Sequence, residues 1–226
     1  MKLSIEMTAD GSPTIYREDI DEHYHSVKGA VAESLHVYIE SGWRKASETS
    51  GPVRVFEVGF GAGLNAAITA VAAMESEIPT DYFAVELYPL PEETTDIIAA
   101  SLDEGYRESL FRVNESPWDE SDRINPYFSL HKIEADLRSM DIPKKLDAVY
   151  FDAFAPEKQP EMWEEHIFRK LYDAMKPGAV LTTYCAKGSI RRLLQQTGFL
   201  TERLPGPPGG KREILRCEKP SDYMNC

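Results

Sequence analysis

One stretch constrains the fold of this chain more than any other: VFEVGFGAGLN, residues 55 to 65. An apolar run of strand formers meets Gly59, Gly61 and Gly63 at alternate positions and then gives way to a helix-forming segment. That order is the strand–turn–helix entry of a doubly wound α/β fold, where glycines let backbone come close to a ligand. A dinucleotide site would place its third glycine one position later, to seat the helix near a pyrophosphate, and here that position is Leu64.

The rest of the chain agrees with an α/β layer structure. Short β-branched or aromatic runs at 53 to 58, 81 to 86, 127 to 133, 146 to 152 and 179 to 185 alternate with amphipathic segments, the signature of a mainly parallel sheet. The helical segments fall at 64 to 76, 92 to 112 with a break near Gly105, 160 to 175, and 189 to 197. Lys176-Pro177-Gly178 reads as the stop of the third. Residues 198 to 216 read as two strands joined by a Pro/Gly loop that turns at Gly209-Gly210. The expectation is one core domain over 51–219, preceded by a hairpin and helix over 1–50 and followed by a short tail over 220–226. The polar stretch 113 to 126, with Trp118, is expected to be an insertion or a mobile flap.

Acids stand where such a fold binds ligands. Glu57 enters the glycine turn, Glu86 ends the second core strand, Asp136 follows the third and Asp152 ends the fourth. With the glycine spacing, this set leans towards S-adenosylmethionine: Glu57 for the methionine ammonium, Glu86 for the ribose hydroxyls, Asp136 for the adenine amino group. The fold expected is a class I, Rossmann-like methyltransferase with a mostly parallel seven-stranded sheet and a C-terminal antiparallel hairpin. Taken singly, Glu57 and Asp152 have a weaker alternative as plain strand-end carboxylates, and Asp136 reads best as a helix N-cap.

Charge and composition limit the partners. The net charge is −13, yet residues 180 to 219 carry +5, leaving −18 on the remainder. Such asymmetry suits a local polyanion-binding face, although solvated surface elements produce it too. Cys185, Cys217 and Cys226 are odd in number and widely spaced, so they read as free thiols. His23 and His25 lack the neighbours a metal site needs, and no metal is expected. No run approaches the roughly 18 apolar residues of a membrane span, and no signal sequence begins the chain, so a cytoplasmic protein is expected.

Four stretches together resemble one family: EHYHSVKGAVAESLHVYI (22 to 39), VFEVGFGAGLN, YFDAFAPEKQPEMW with Phe168 beyond it, and SIRRLLQQTGF running to PGGKREILR at 216. They are similar to the methyltransferase domain of the bifunctional tRNA 5-methylaminomethyl-2-thiouridine biosynthesis proteins (MnmC). The absence of a following flavin-dependent oxidoreductase domain suggests the stand-alone form. The resemblance implies N-methylation of the 5-aminomethyl group of a (2-thio)uridine at the tRNA wobble position, with tRNA anticodon stem-loop as partner. It also implies that a separate enzyme supplies the amine.

The resemblance places Asp152 as the catalytic group receiving a hydrogen bond or proton from the amine, and also at the cofactor, beside the transferred methyl. It places Glu33, Ser34 and Tyr38 beside the cofactor's methionine end, with Asn65 of the glycine motif and Leu137 next to Asp136 also at the cofactor. Tyr24, Phe154 and Trp163 would flank an extruded uracil, although core packing accounts for each ring equally well. Lys158, Lys187, Arg191, Arg192, Lys211 and Arg212 would line the phosphate path. Two alternatives stay open: a methyltransferase of small-molecule amines, which an acidic protein suits electrostatically, and an NAD-dependent oxidoreductase using the same turn.

Overall fold

Hydrogen bonding sorts the strands into two sheets. The computed structural model describes residues 3–7, 13–18, 22–23, 27–48, 51–91, 93–100, 102–208 and 212–221. Strands β1 (Leu3–Met7), β2 (Pro13–Arg17) and β3 (Glu22–His23) form a small antiparallel sheet. Helical backbone then continues from α1 (Val27–Glu33) through a π-wound segment (Ser34–Trp43) to α2 (Arg44–Ser47). In that segment the Arg44 N–H reaches Ile39 O, five residues back instead of four. Such winding is rare and occurs frequently at functional sites.

The larger sheet begins with β4 (Val53–Val58), followed by α3 (Leu64–Ser76), β5 (Thr80–Glu86), α4 (Glu93–Ala99) and α5 (Glu104–Glu115). Next come β6 (Ser121–Asn125), β7 (Phe128–Glu134), β8 (Leu146–Phe151), α6 (Glu165–Ala174) and β9 (Met175–Thr183). The chain closes with α7 (Gly188–Thr197) and the hairpin β10 (Leu200–Pro205) and β11 (Glu213–Glu218). The strand order is β10-β11-β9-β8-β4-β5-β7-β6. The five central strands are parallel, with antiparallel partners on both edges.

Both faces of the sheet are covered, which explains why the central strands are apolar at nearly every position. Along β4, Val53 and Val55 join the core under the π segment, α3 and α5, whereas Phe56 and Val58 join the core under α6 and α7. Helix α6 follows the same logic, burying Ile167, Phe168, Leu171 and Ala174 along one face. Val37, Tyr38, Ile39 and Trp43 bring the N-terminal helix into the first core. Each fully buried side chain of the size of Phe56 or Ile68 stabilises by about 1.5–3 kcal/mol relative to exposure.

Two expectations are corrected. The sheet has eight strands, not seven, because part of the 113-to-126 stretch pairs as edge strand β6 and Trp118 bridges Lys132. A polar edge strand is half solvated, so its composition carries no apolar alternation. The Lys176-Pro177-Gly178 triplet lies inside β9 and does not stop the helix, which ends at Ala174 before β9 starts at Met175. Gly178 (φ +80) sits where the β8–β9 register shifts. The Gly209-Gly210 turn lies outside the described residues, as do His25 and Cys226.

From β4 the chain moves outward to β5 and β7, then returns to β8 on the opposite side of β4. That reversal opens a crevice beyond the carboxyl ends of β4 and β8, the place where open α/β sheets bind ligands.

Candidate active site

The crevice holds a cluster of buried polar side chains with Asn65, in the first turn of α3, at its hub. Its Nδ2 donates to Glu57 Oε1 at 2.8 Å and to Asp152 Oδ2 at 2.9 Å. Its Oδ1 accepts from Ser34 Oγ at 2.5 Å. Because carboxylates only accept, this arrangement fixes the amide with nitrogen towards the two acids. Four residues beyond Ser34, the Tyr38 ring packs on Tyr150 with centroids 5.1 Å apart. Burial, then the facing Asp152 charge, holds the Tyr38 phenol well above its usual range, so it is a neutral donor.

Glu57 is fully buried. Burial drives its pKa well above the usual carboxylate range and the nearby Asp152 adds to this, while the Asn65 hydrogen bond partly offsets it. Tyr82 faces the Glu57 carboxyl and Tyr38 faces Asp152, each pair at the margin of hydrogen-bond geometry. A buried polar atom short of a good partner costs about 1–3 kcal/mol, so this group of marginal contacts would gain from a polar ligand. A carboxylate oxygen so placed suits an ammonium such as the methionine end of S-adenosylmethionine, and on that test the residues fit the cofactor.

The glycine turn is built differently from the sequence expectation. Gly59 (φ +89) makes room for protein, since a Cβ there would lie 2.7 Å from Asp152 O. Gly63 (φ +81) does the same for the Phe60 ring, 2.8 Å from its would-be Cβ. Gly61 (φ +52) donates its N–H to Glu86 Oε2 at 3.2 Å. Leu87 and Tyr88 donate theirs to Glu86 Oε1, both at 3.0 Å, which fixes the carboxylate at the end of β5.

The remaining predicted residues separate into groups. Glu33 is buried next to Ser34 at the start of the π segment. Asp136 is bound bidentately by Arg138, which holds its carboxyl below the usual range. Leu137 is 3% exposed and belongs to the second core, so its side chain is not offered to a ligand. Trp163 corrects the expectation of a base-stacking ring. It is 5% exposed, packs edge-on against Phe151, and donates Nε1 to Phe154 O at 2.8 Å. It anchors the loop after Asp152 from within the core.

Phe154 and Lys158 are half-buried on that loop, Arg191 is half-buried on α7, and Arg192 and Arg212 are exposed. Lys187 forms an ion pair with Glu157. Tyr24 and Lys211 lie outside the described residues. Among the described residues no group of three or more His, Cys, Asp or Glu is placed to hold a metal ion, and no helix is long and apolar enough to cross a membrane.

Sequence reasoning missed Tyr82 beside Glu57 and the cluster of Lys132, Trp118 and Asn114 behind the glycine turn. A signal for Lys132 was available. Phe128, Leu130 and Lys132 share one face of β7 by strand alternation, and the first two are core residues.

The strand order and the acids beyond β4, β5 and β8 define a Rossmann-like α/β methyltransferase. A family model described as S-adenosyl-L-methionine-dependent methyltransferase matches residues 100–220, more than half of the chain. The chain belongs to that family and uses S-adenosylmethionine as its cofactor, which removes the oxidoreductase alternative.

Among its relatives are two proteins named tRNA 5-methylaminomethyl-2-thiouridine biosynthesis bifunctional protein MnmC. The one from Cupriavidus necator is 32% identical over 92% of this chain and 33% of its own length. The one from Ralstonia nicotianae is 28% identical over 96% of this chain and 34% of its own length. The chain thus spans about a third of the length of the curated relatives it matches. The crystal structure of MNMC2 from Aquifex aeolicus is similar with a TM-score of 0.79 and 27% identity, covering 97% of this chain and 71% of that one. A spermidine synthase from Thermotoga maritima, at 15% identity and a TM-score of 0.61 over 98% of this chain and 70% of that one, shares the fold.

Proposed function

We propose that this chain methylates the 5-aminomethyl group of a wobble (2-thio)uridine in tRNA, giving the 5-methylaminomethyl nucleoside, in the cytoplasm. The observation that carries the reading is the half-exposed Asp152 carboxylate, held by the same Asn65 amide that holds the buried Glu57. Similarity to MnmC proteins over 92–96% of the chain supplies the substrate class.

When bound, S-adenosylmethionine supplies an electrophilic methyl group. Glu57 Oε2 would take the methionine ammonium, with Ser34, Tyr38 and Asn65 fixing that end. Glu86 would receive the ribose hydroxyls, and the turn at Asp136 and Leu137 the adenine. Asp152 accepts a hydrogen bond from the substrate amine, so the nitrogen lone pair is directed away from the carboxylate and into the crevice. The same oxygen receives the proton that the amine sheds on methylation. Alignment of an unprotonated amine is the main catalytic task in such a displacement.

Phe154 would flank the uracil, and Lys158, Lys187, Arg191, Arg192 and Arg212 would follow the anticodon backbone. Tyr24 and Lys211 belong to this proposal from sequence alone. The reading requires an enzyme that delivers the primary amine.

Transfer of label from S-adenosylmethionine to tRNA bearing 5-aminomethyl wobble uridine, read by nucleoside analysis, tests this directly. Label in the methylaminomethyl nucleoside, lost with Asp152→Asn, is the expected outcome. Cofactor binding without transfer to that tRNA would reject the substrate. A small cationic amine is the second reading, favoured by the net charge of −13 and by acidic partners on the basic segment, where Lys187 meets Glu157 and Arg216 meets Glu202.

A further inference from the structure

Lys132 is 1% exposed, on the face of β7 whose Phe128 and Leu130 belong to the first core. Burying an ammonium is costly unless it is repaid by specific partners. Here the partners are three. Nζ donates to Asn114 O at 2.9 Å, near the last residues of α5, where the helix dipole favours a cation. It also lies 4.9 Å from the centroid of Trp118 and 5.4 Å from that of Phe60, both cation–π distances. The two rings meet edge to face, 5.5 Å apart at 80°. Burial, against the raising effect of Asp122, pushes the ammonium down to about 8.

Each contact leads to the same four residues. Phe60 belongs to the turn itself, between Gly59 and Gly61. Asn114, whose carbonyl accepts the hydrogen bond from Lys132, donates Nδ2 to Ala62 O at 3.0 Å. Gly63 is tight against both, with its would-be Cβ 2.8 Å from the Phe60 ring and 3.2 Å from Asn114 Nδ2. On the other side of the turn, Gly61 N–H meets Glu86. A cleft of about 270 Å³ is lined by Phe60, Gly61, Asn114, Trp118 and Lys132 together with Leu90, so the turn is propped at defined points and not packed solid.

We infer that Lys132 is a positioning residue for cofactor binding: clamped between Phe60 and Trp118 and bonded to Asn114, it holds residues 60–63 in the shape that presents the cofactor site. The inference rests on reading that turn as part of the S-adenosylmethionine site. A core-filling role alone would be met by methionine, whose length is similar and which needs no carbonyl or ring faces around it. The lysine acts through the turn and touches no reacting atom.

Calorimetric titration with S-adenosylhomocysteine tests it, with wild type measured first. Wild-type protein that fails to bind overturns the reading of the turn, and the inference with it. With wild-type binding established, Lys132→Met is expected to weaken binding about tenfold. The KM for S-adenosylmethionine should rise in parallel, while kcat at saturation stays within about threefold. Trp118→Leu, on the half-buried side of the clamp, should weaken binding less, and the double variant should be no weaker than Lys132→Met alone because both act through Phe60. If Lys132→Met does not fold, Trp118→Leu carries the test by the same split between KM and kcat. A folded Lys132→Met or Trp118→Leu protein that binds S-adenosylhomocysteine as wild type does, having lost only thermal stability, would overturn the inference.

Discussion

The crevice at β4 and β8 and the basic face around α7 and the β10–β11 hairpin are built by opposite rules. In the crevice, Ser34, Glu57 and Asn65 are buried and tied together by hydrogen bonds of 2.5 and 2.8 Å, with the half-exposed Asp152 joined at 2.9 Å. On the basic face, Lys187, Arg203 and Arg216 are met by Glu157, Glu213 and Glu202 in exposed or half-exposed pairs, each worth about 0–1 kcal/mol. The difference teaches that the half proposed to hold the cofactor is organised in the folded chain. The half assigned to the polyanion is held weakly enough to exchange its partners.

The comparison breaks most visibly at Asp152. Asp152→Asn should lower methyl transfer by about 100-fold or more, as expected for loss of a positioned acceptor, while S-adenosylhomocysteine binding changes by only a few-fold. Single-turnover rates beside calorimetry would show it. Equal losses in both would mean that Asp152 serves the cofactor and not the amine.

Charge reversal at Lys187, Arg191 and Arg192 should weaken tRNA binding by roughly tenfold or more and flatten its salt dependence, with cofactor affinity unchanged. Filter binding across a salt series reads both quantities. A loss that does not depend on salt would place these residues outside the phosphate path.

Asn65→Ala tests whether the crevice is a connected unit. It removes the one donor shared by Glu57 and Asp152, so stability should fall by about 1–3 kcal/mol, and cofactor affinity should fall with it. Denaturant titration and calorimetry on the same samples would show whether the two losses move together.

The smallest effect concerns pH. Lys132 holds its proton less tightly in the folded chain, at about 8, than in the unfolded chain, where lysine titrates near 10.4. The unfolded state therefore carries more protons between those values, and the contribution of this residue to stability rises with pH across that window. Lys132→Met should remove that rise, seen as the difference between the two proteins in denaturant midpoints from pH 7.5 to 9.5.

Much of the fold was legible because it rests on local signals. The glycine run, the apolar strands and the Pro/Gly breaks fixed β4, α3, β5, β8 and the terminal hairpin to within a residue or two. Strand β6 was not legible: Ser121–Asn125 is polar, and an edge strand needs a partner more than a pattern. In the site, Glu57, Asn65 and Asp152 stood out through their place at strand ends and at the start of α3. Trp163 looked like a stacking ring until the core claimed it, because aromatic composition is the same in either role.

The sequence by itself determined the chemistry that this chain can hold: the glycine turn, the acid at each strand end, and the uneven charge. Only the tertiary structure decided what each of those groups faces. It turned Gly59 towards the Asp152 backbone and carried Lys132 from β7 to the underside of Phe60. The physical reason is that burial and hydrogen-bond partners across a sheet depend on strand order and register, which join residues tens of positions apart and leave no trace in their neighbours along the chain.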